Sequence, residues 1–186
     1  MKSHNTQNAC RMQVRLIAKY KCVIIQYMSE KSRNLRSDCP VNFGLETFGD
    51  KWSLLILRDM VFWGKKTYGE FLRSGEGIAT NILALRLVQL ESNGILRKSP
   101  HPTDKRRDQY FVTDKGLELI PLLVEIVAWS GKLIEWQSVA GQGTPEQIKQ
   151  VKRFAAAKDK RKIIQEIRDA VEEGSYFFSS AEARTK

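Results

Sequence analysis

From Pro40 onward, apolar residues recur at helical spacing in blocks that glycines separate. Residues 41–48 read as a short helix, with Pro40 suited to its first turn and Gly49 closing it. Asp50 then stands at the N-cap of a strongly apolar helix over residues 51–62, ended by Gly64. Thr67 and Glu70 have capping-box spacing and open a short helix through Leu72. Residues 74–77 form a turn. Residues 79–92 are the clearest helix, with Leu83, Leu87 and Leu90 along one face, and Asn93-Gly94 stops it at a left-handed position.

Two short extended segments follow, residues 95–99 and 109–112, around a turn-forming loop. Thr113 caps a long helix predicted to run to about Gln137, with Leu117, Ile120, Val124, Val127 and Ile134 on one side and Pro121 as a candidate kink. Gly141 and Gly143 mark a boundary. Thr144-Pro145-Glu146 starts a further charged helix that frays after Gly174.

The order helix, helix, short helix, turn, helix, hairpin, helix predicts a mainly α fold with a small β-hairpin wing (α+β). A short capped helix turned tightly into a longer one is a helix-turn-helix, whose second helix enters the major groove; the hairpin is its wing. Three segments are expected: an N-terminal extension over residues 1–38, mobile or partly helical; a winged helix-turn-helix domain over 39–137; and a charged helical extension over 138–186. Met28-Ser29-Glu30 makes a natural start, so one reading leaves residues 1–27 untranslated.

Net charge, +10 over 186 residues, changes this picture little. Residues 40–137 carry 13 basic and 12 acidic groups, so most of the excess sits in the flanks. Within the domain the basic groups gather in the hairpin, where Arg97, Lys98, Lys105, Arg106 and Arg107 outnumber Asp104 and Asp108. The stretch from Leu16 to Met28 is too short and too charged to span a bilayer, and no cleavage site follows it. These features point to the cytoplasm and to no membrane. Cys10, Cys22 and Cys39 form no C-x-x-C pair, and His4 and His101 are the only histidines, which argues against a zinc site and a structural disulfide. No cofactor motif and no catalytic set can be assembled, so an enzyme is not expected.

Several blocks resemble one family. Cys39-Pro40 followed by Gly49-Asp50-Lys51-Trp52-Ser53-Leu54-Leu55-Ile56-Leu57-Arg58 is similar to the opening signature of HxlR-type winged-helix regulators. Tyr68-Gly69-Glu70-Phe71, Gly77-Ile78-Ala79, the stretch from Leu83 through Arg86, Leu87, Leu90 and Glu91 to Gly94-Ile95, and Tyr110 with Val112-Thr113-Asp114-Lys115-Gly116 resemble its later blocks. The resemblance runs from about Cys39 to Lys132. It implies a MarR-like homodimeric repressor or activator on a pseudo-palindromic operator, with the first helix and the long helix after the wing forming the dimer contact. It also implies that the cysteine before the first helix serves some relatives as a sensor of electrophiles or oxidants.

Candidate duplex-DNA contacts follow from these elements. Thr80, Asn81 and Ala84 are expected on the face of the second helix opposite Leu83 and Leu87, where Asn and Thr reach base edges or phosphates. Arg86 either binds phosphate or pairs with an acidic group such as Glu70. Leu85 and Val88 either touch thymine methyls or pack on a partner, leaving this helix unusually apolar. Lys65 and Lys66, just before the Thr67 cap, suit a phosphate at a helix N-terminus. Lys105, Arg106 and Arg107 suit a narrow minor groove from the wing tip. Lys51 contacts DNA or solubilises a helix start, and Trp52, Phe71, Trp129 and Trp136 belong to the core or a dimer interface. Cys39 precedes a helix N-terminus, a setting that favours a reactive thiolate; alternatively it is buried at the dimer contact. The effector stays unspecified. A second reading of the whole is a winged helix repurposed as a protein-interaction module, to which Leu85 and Val88 would belong.

Overall fold

The structure, a computed structural model, describes residues 37, 39–104, 107–133, 144–175, 177 and 178. Outside them lie the N-terminal extension except Ser37, the wing-tip residues Lys105 and Arg106, the predicted helix beyond Leu133 with Ile134 and Trp136, and the glycines at 141 and 143.

Eight α-helices and one hairpin follow in order among the described residues: α1 (Pro40–Phe48), α2 (Lys51–Trp63), α3 (Tyr68–Leu72), α4 (Thr80–Ser92), β1 (Leu96–Pro100), β2 (Asp108–Val112), α5 (Asp114–Leu117), α6 (Ile120–Leu133), α7 (Pro145–Ala156) and α8 (Arg161–Glu172). Asp50, Thr67 and Thr144 cap their helices as the sequence predicts. Asp50 Oδ1 accepts from the Trp52 and Ser53 N–H groups at 3.0 and 3.1 Å. Gly64 and Gly94 hold φ of +62° and +70°, a region without penalty only for glycine, so α2 and α4 stop where they do.

The chain resolves into two compact units, divided within α2. The first takes the described residues up to Ile56 together with Lys66–Thr113. In it β1 and β2 pair antiparallel, Leu96 opposite Val112 and Arg97 opposite Phe111. A bridge from Thr67 to Gln109, with the Tyr110 N–H donating to the Lys66 carbonyl at 2.7 Å, adds a short third edge. Phe71, Ile78, Leu83, Leu87, Leu90, Ile95, Leu96 and Tyr110 are buried. The Asn93 side-chain amide donates to the Thr47 carbonyl at 3.1 Å, fastening the end of α4 to the last turn of α1.

The second unit takes Leu57–Lys65 and the described residues from Asp114 onward. Here α7 and α8 pack on α6. Gly131 lets α6 and α7 approach closely, since a Cβ there would lie 2.9 Å from Val151 Cγ1. Phe62, Phe154, Phe177 and Phe178 form an aromatic cluster. Ion pairs at the rim join Lys160 to Glu125 at 3.2 Å and Arg168 to Glu118 at 2.9 Å.

Two predicted helices differ. The helix expected from Thr113 is divided into α5 and α6, with Pro121 as the second residue of α6 rather than a kink within one helix. A proline has no N–H to continue the ladder, so it fits where the ladder starts again. The Thr113 hydroxyl reaches back to the Gly94 and Ile95 carbonyls at 2.6 and 3.0 Å. The single helix expected after Thr144 is α7 and α8, because Ala157 takes an extended conformation. Asp159 then receives the Arg161 guanidinium and N–H, which pull its carboxyl down to about 2. No helix among the described residues is long and apolar enough to cross a membrane.

Candidate nucleic-acid interface

All of the helix-turn-helix and the wing lie in the first unit. The capping box before α3 is complete. Thr67 Oγ1 accepts from the Glu70 N–H, while Glu70 Oε2 accepts from the Lys66 and Thr67 N–H groups at 2.8 and 2.7 Å and from the Thr67 hydroxyl at 2.8 Å. Partial burial raises the Glu70 pKa, but these hydrogen bonds and the charge of Arg73 outweigh it and hold the carboxyl below the ordinary glutamate range. At the far end of the turn the Tyr68 hydroxyl donates to the Thr80 carbonyl at 2.7 Å, which ties α3 to the start of α4.

Helix α4 turns successive side chains by about 100°, and this decides what it offers outward. Leu83, Ala84, Leu87, Val88 and Leu90 form its buried side. Thr80 and Asn81 are exposed at its N-terminal end. Ile82, Leu85 and Gln89 are half-buried and continue the outer face beyond Asn81. Two expectations need correction. Ala84 is 1% exposed: adjacent residues are only a quarter-turn or so apart, so Ala84 flanks Leu83 and Leu87 instead of opposing them. Val88, 4% exposed, belongs to the same buried side, so the helix is less apolar outward than its composition suggests. Gln89 and Ile82 were missed on the outer face, although the same angular spacing places them there.

Arg86 pairs with Asp50, Nε to Oδ1 at 3.0 Å, and not with Glu70. Its guanidinium also donates to Gln89 Oε1. Asp50 is thus both the cap of α2 and the partner of α4. Lys65, which falls in the second unit, has its ammonium 2.8 Å from the buried Asp59, which Arg58 also contacts at 2.6 Å. Lys51 lies over the Trp52 ring at 4.7 Å.

In the wing, Lys98 pairs with Asp108 at 2.9 Å and Arg107 with Asp104 at 3.3 Å, so carboxylates offset part of the nominal charge. Arg107 nevertheless has a 66% exposed side chain. Arg97 and Lys66 instead each lie over the Phe111 ring, at 4.4 and 5.6 Å from its centroid. Sequence reasoning counted Arg97 among the wing cations but gave it no role. Its signal was the cross-strand position opposite an aromatic residue.

Cys39 is exposed and free at the N-cap of α1 in the single chain. Apolar side chains are exposed in each unit: Val41, Phe43 and Leu45 on α1, and Ile126, Trp129 and Leu133 on α6. Trp129, at 67% exposed, is no part of the core of this chain.

Residues 47–138 match the family described as HxlR-like helix-turn-helix. An uncharacterized HTH-type transcriptional regulator of Synechocystis sp., sll1512, is 33% identical over 100 residues, which span 54% of this chain and 73% of that protein. The uncharacterized HTH-type transcriptional regulator YybR of Bacillus subtilis is 32% identical over 105 residues, 55% of this chain and 82% of that protein. Among solved structures, the redox regulator HypR in its reduced form is 28% identical, with a TM-score of 0.48 over 54% of this chain and 99% of that one. The chain belongs to the HxlR-like helix-turn-helix family, whose members are transcriptional regulators and not enzymes.

Proposed function

We propose that this regulator binds a pseudo-palindromic duplex operator as a homodimer and acts as a repressor. The observation that carries the reading is the capped helix-turn-helix and cationic wing within one unit, with Asn81 and Gln89 on the outer side of α4 and Thr80 exposed at its N-terminal end. Asn and Gln side chains both donate and accept, as adenine edges require. Lys66 lies just before the Thr67 cap of α3, where its ammonium would meet a phosphate. Arg107, with Lys105 and Arg106 beside it in sequence, would serve the wing tip. Leu85 would meet base methyls. Arg86 and Lys65, already paired with carboxylates, would orient their elements and make at most secondary phosphate contacts. The exposed apolar residues of α1 and, separately, those of α6 would each offer apolar surface to a second copy. Exposed Cys39 makes a thiol response part of the reading.

Genome-wide recovery of bound DNA from the host, with a reporter fused to the strongest site, tests this. Recovery of paired half-sites and derepression on deletion are expected. Uniform, site-free recovery would overturn it and favour the second reading, a protein-interaction module built around half-exposed Ile82 and Leu85.

A further inference from the structure

We propose that Phe111 is a platform that holds Arg97 and Lys66 as a paired cationic clamp on the sugar-phosphate backbone of duplex DNA. This rests on the DNA-binding reading above, deepens its Lys66 contact, and adds Arg97 and the ring that both cations share. The four described cations around the wing fall into two kinds. Lys98 and Arg107 each face a carboxylate, which partly cancels their charge. Arg97 and Lys66 each face the same aromatic ring. A ring attracts a cation through its quadrupole without neutralising it. Two positive charges drawn to one ring repel each other, and an anion placed between or beside them relieves that repulsion.

The backbone fixes this arrangement. Arg97 lies directly opposite Phe111 in the β1–β2 register, so its side chain crosses to the ring of its strand partner. Lys66 is held from both sides: its N–H donates to Glu70 Oε2, and its carbonyl accepts from the Tyr110 N–H. Tyr110 points to the opposite face of β2, where it meets Phe71 in the core, so Phe111 is directed away from that core. The Lys66 main chain also leads straight into the Thr67 cap, which links the clamp to the start of the helix-turn-helix. Phosphate, spaced regularly along a duplex and read without regard to sequence, is the ligand such a pair fits.

A fluorescent mixed-sequence duplex of about 30 base pairs is the probe, since its non-specific binding is governed by phosphate contacts. Affinity would be followed against potassium chloride for the full chain and for R97Q, K66Q, F111L and F111Y. Each of R97Q and K66Q is expected to flatten the slope of log K against log salt by about 0.9, because one fewer phosphate is neutralised and its counterion stays on the DNA. F111L is expected to weaken binding about two- to fivefold, in line with a cation–π interaction. F111Y, which keeps the ring, is expected to bind as the unsubstituted protein does, and R97Q should cost little more when added to F111L. Arg97 is exposed, so its variant reports on binding even where F111L perturbs the wing. Unchanged slopes in both R97Q and K66Q, with normal binding by the unsubstituted protein, would overturn the clamp alone. Failure of the unsubstituted protein to bind any duplex would overturn the DNA-binding reading and the clamp with it.

Discussion

The Phe178 N–H donates to the Phe62 carbonyl at 3.0 Å, and the two rings meet edge to face with centroids 5.4 Å apart. A residue beyond α8 thereby closes over the C-terminal part of α2. Phe154 of α7 joins the same cluster, 6.3 Å from Phe62, and has no exposed surface. The helices after the wing are therefore part of a core, and not a tail attached to one.

That relationship predicts the outcome of truncating Phe154. Phe154→Ala removes a fully buried ring and is expected to destabilise the protein by about 3–5 kcal/mol, read from urea unfolding followed by circular dichroism. A loss below about 1 kcal/mol would mean that α7 contributes little to the fold.

The caps, the hairpin and the helix-turn-helix were legible in the sequence because each rests on a local device: Thr67 with Glu70, Asp50 before Lys51, glycines at left-handed positions. What escaped was decided at longer range. The break between α7 and α8 leaves the apolar pattern intact on either side, Phe154 before it and Ile163 and Ile167 after it, so periodicity alone does not register it. Arg86 had carboxylates on several elements within its sequence reach, and only the approach of α4 to the start of α2 selects Asp50. The cations around the wing looked equivalent in the sequence, yet the strand register gives Lys98 a carboxylate and Arg97 a ring.

The burial of Ala84 has a consequence opposite to that of a DNA-facing position. Ala84→Leu is expected to overpack the buried side of α4 and to cost about 1–3 kcal/mol of stability. Asn81→Ala, at an exposed site, should leave thermal unfolding within about 0.5 kcal/mol of the unsubstituted protein. Reversal of this order in a thermal melt would place Ala84 on the surface.

Glu70 makes the capping box sensitive to pH. Its carboxyl lies below the ordinary glutamate range in the folded protein, so it binds its proton less readily there than in the unfolded chain. The contribution is therefore fully present above the ordinary glutamate value and is lost as pH falls through the lowered folded value. At neutral pH Thr67→Ala should cost about 1 kcal/mol through loss of the cap. Glu70→Gln should be less stable than the unsubstituted protein near neutrality, the gap narrowing as the solution is acidified below the ordinary glutamate value. A gap that stays constant across this acid range would show that Glu70 is not the titrating group.

Trp129 tests the proposed dimer. It shares one side of α6 with Ile126 and Leu133 at helical spacing, and all three are exposed. Large exposed aromatics of this kind are the usual energetic centres of interfaces. Trp129→Asp is expected to raise the dimer dissociation constant at least about 30-fold, the effect of losing roughly 2 kcal/mol, as read by sedimentation equilibrium. Phe43→Asp, on α1, should act in the same direction. Wild-type association in both variants would remove α1 and α6 from the interface.

Cys39 sits where modification would be felt by the exposed apolar residues of α1. Its thiol is exposed at the N-cap of α1, its carbonyl accepts the Phe43 N–H at 3.0 Å, and exposed Val41 and Phe43 follow within one turn. An adduct or mixed disulfide at this sulfur adds bulk beside the apolar residues proposed to meet a second copy. Operator binding by the unsubstituted protein is therefore expected to fall on treatment with diamide and to return with dithiothreitol. Cys39→Ser should bind the same DNA and ignore the oxidant, whereas a variant with Cys10 and Cys22 both replaced by serine should keep the full response. A diamide response that persists in Cys39→Ser would remove the sensing role from this residue.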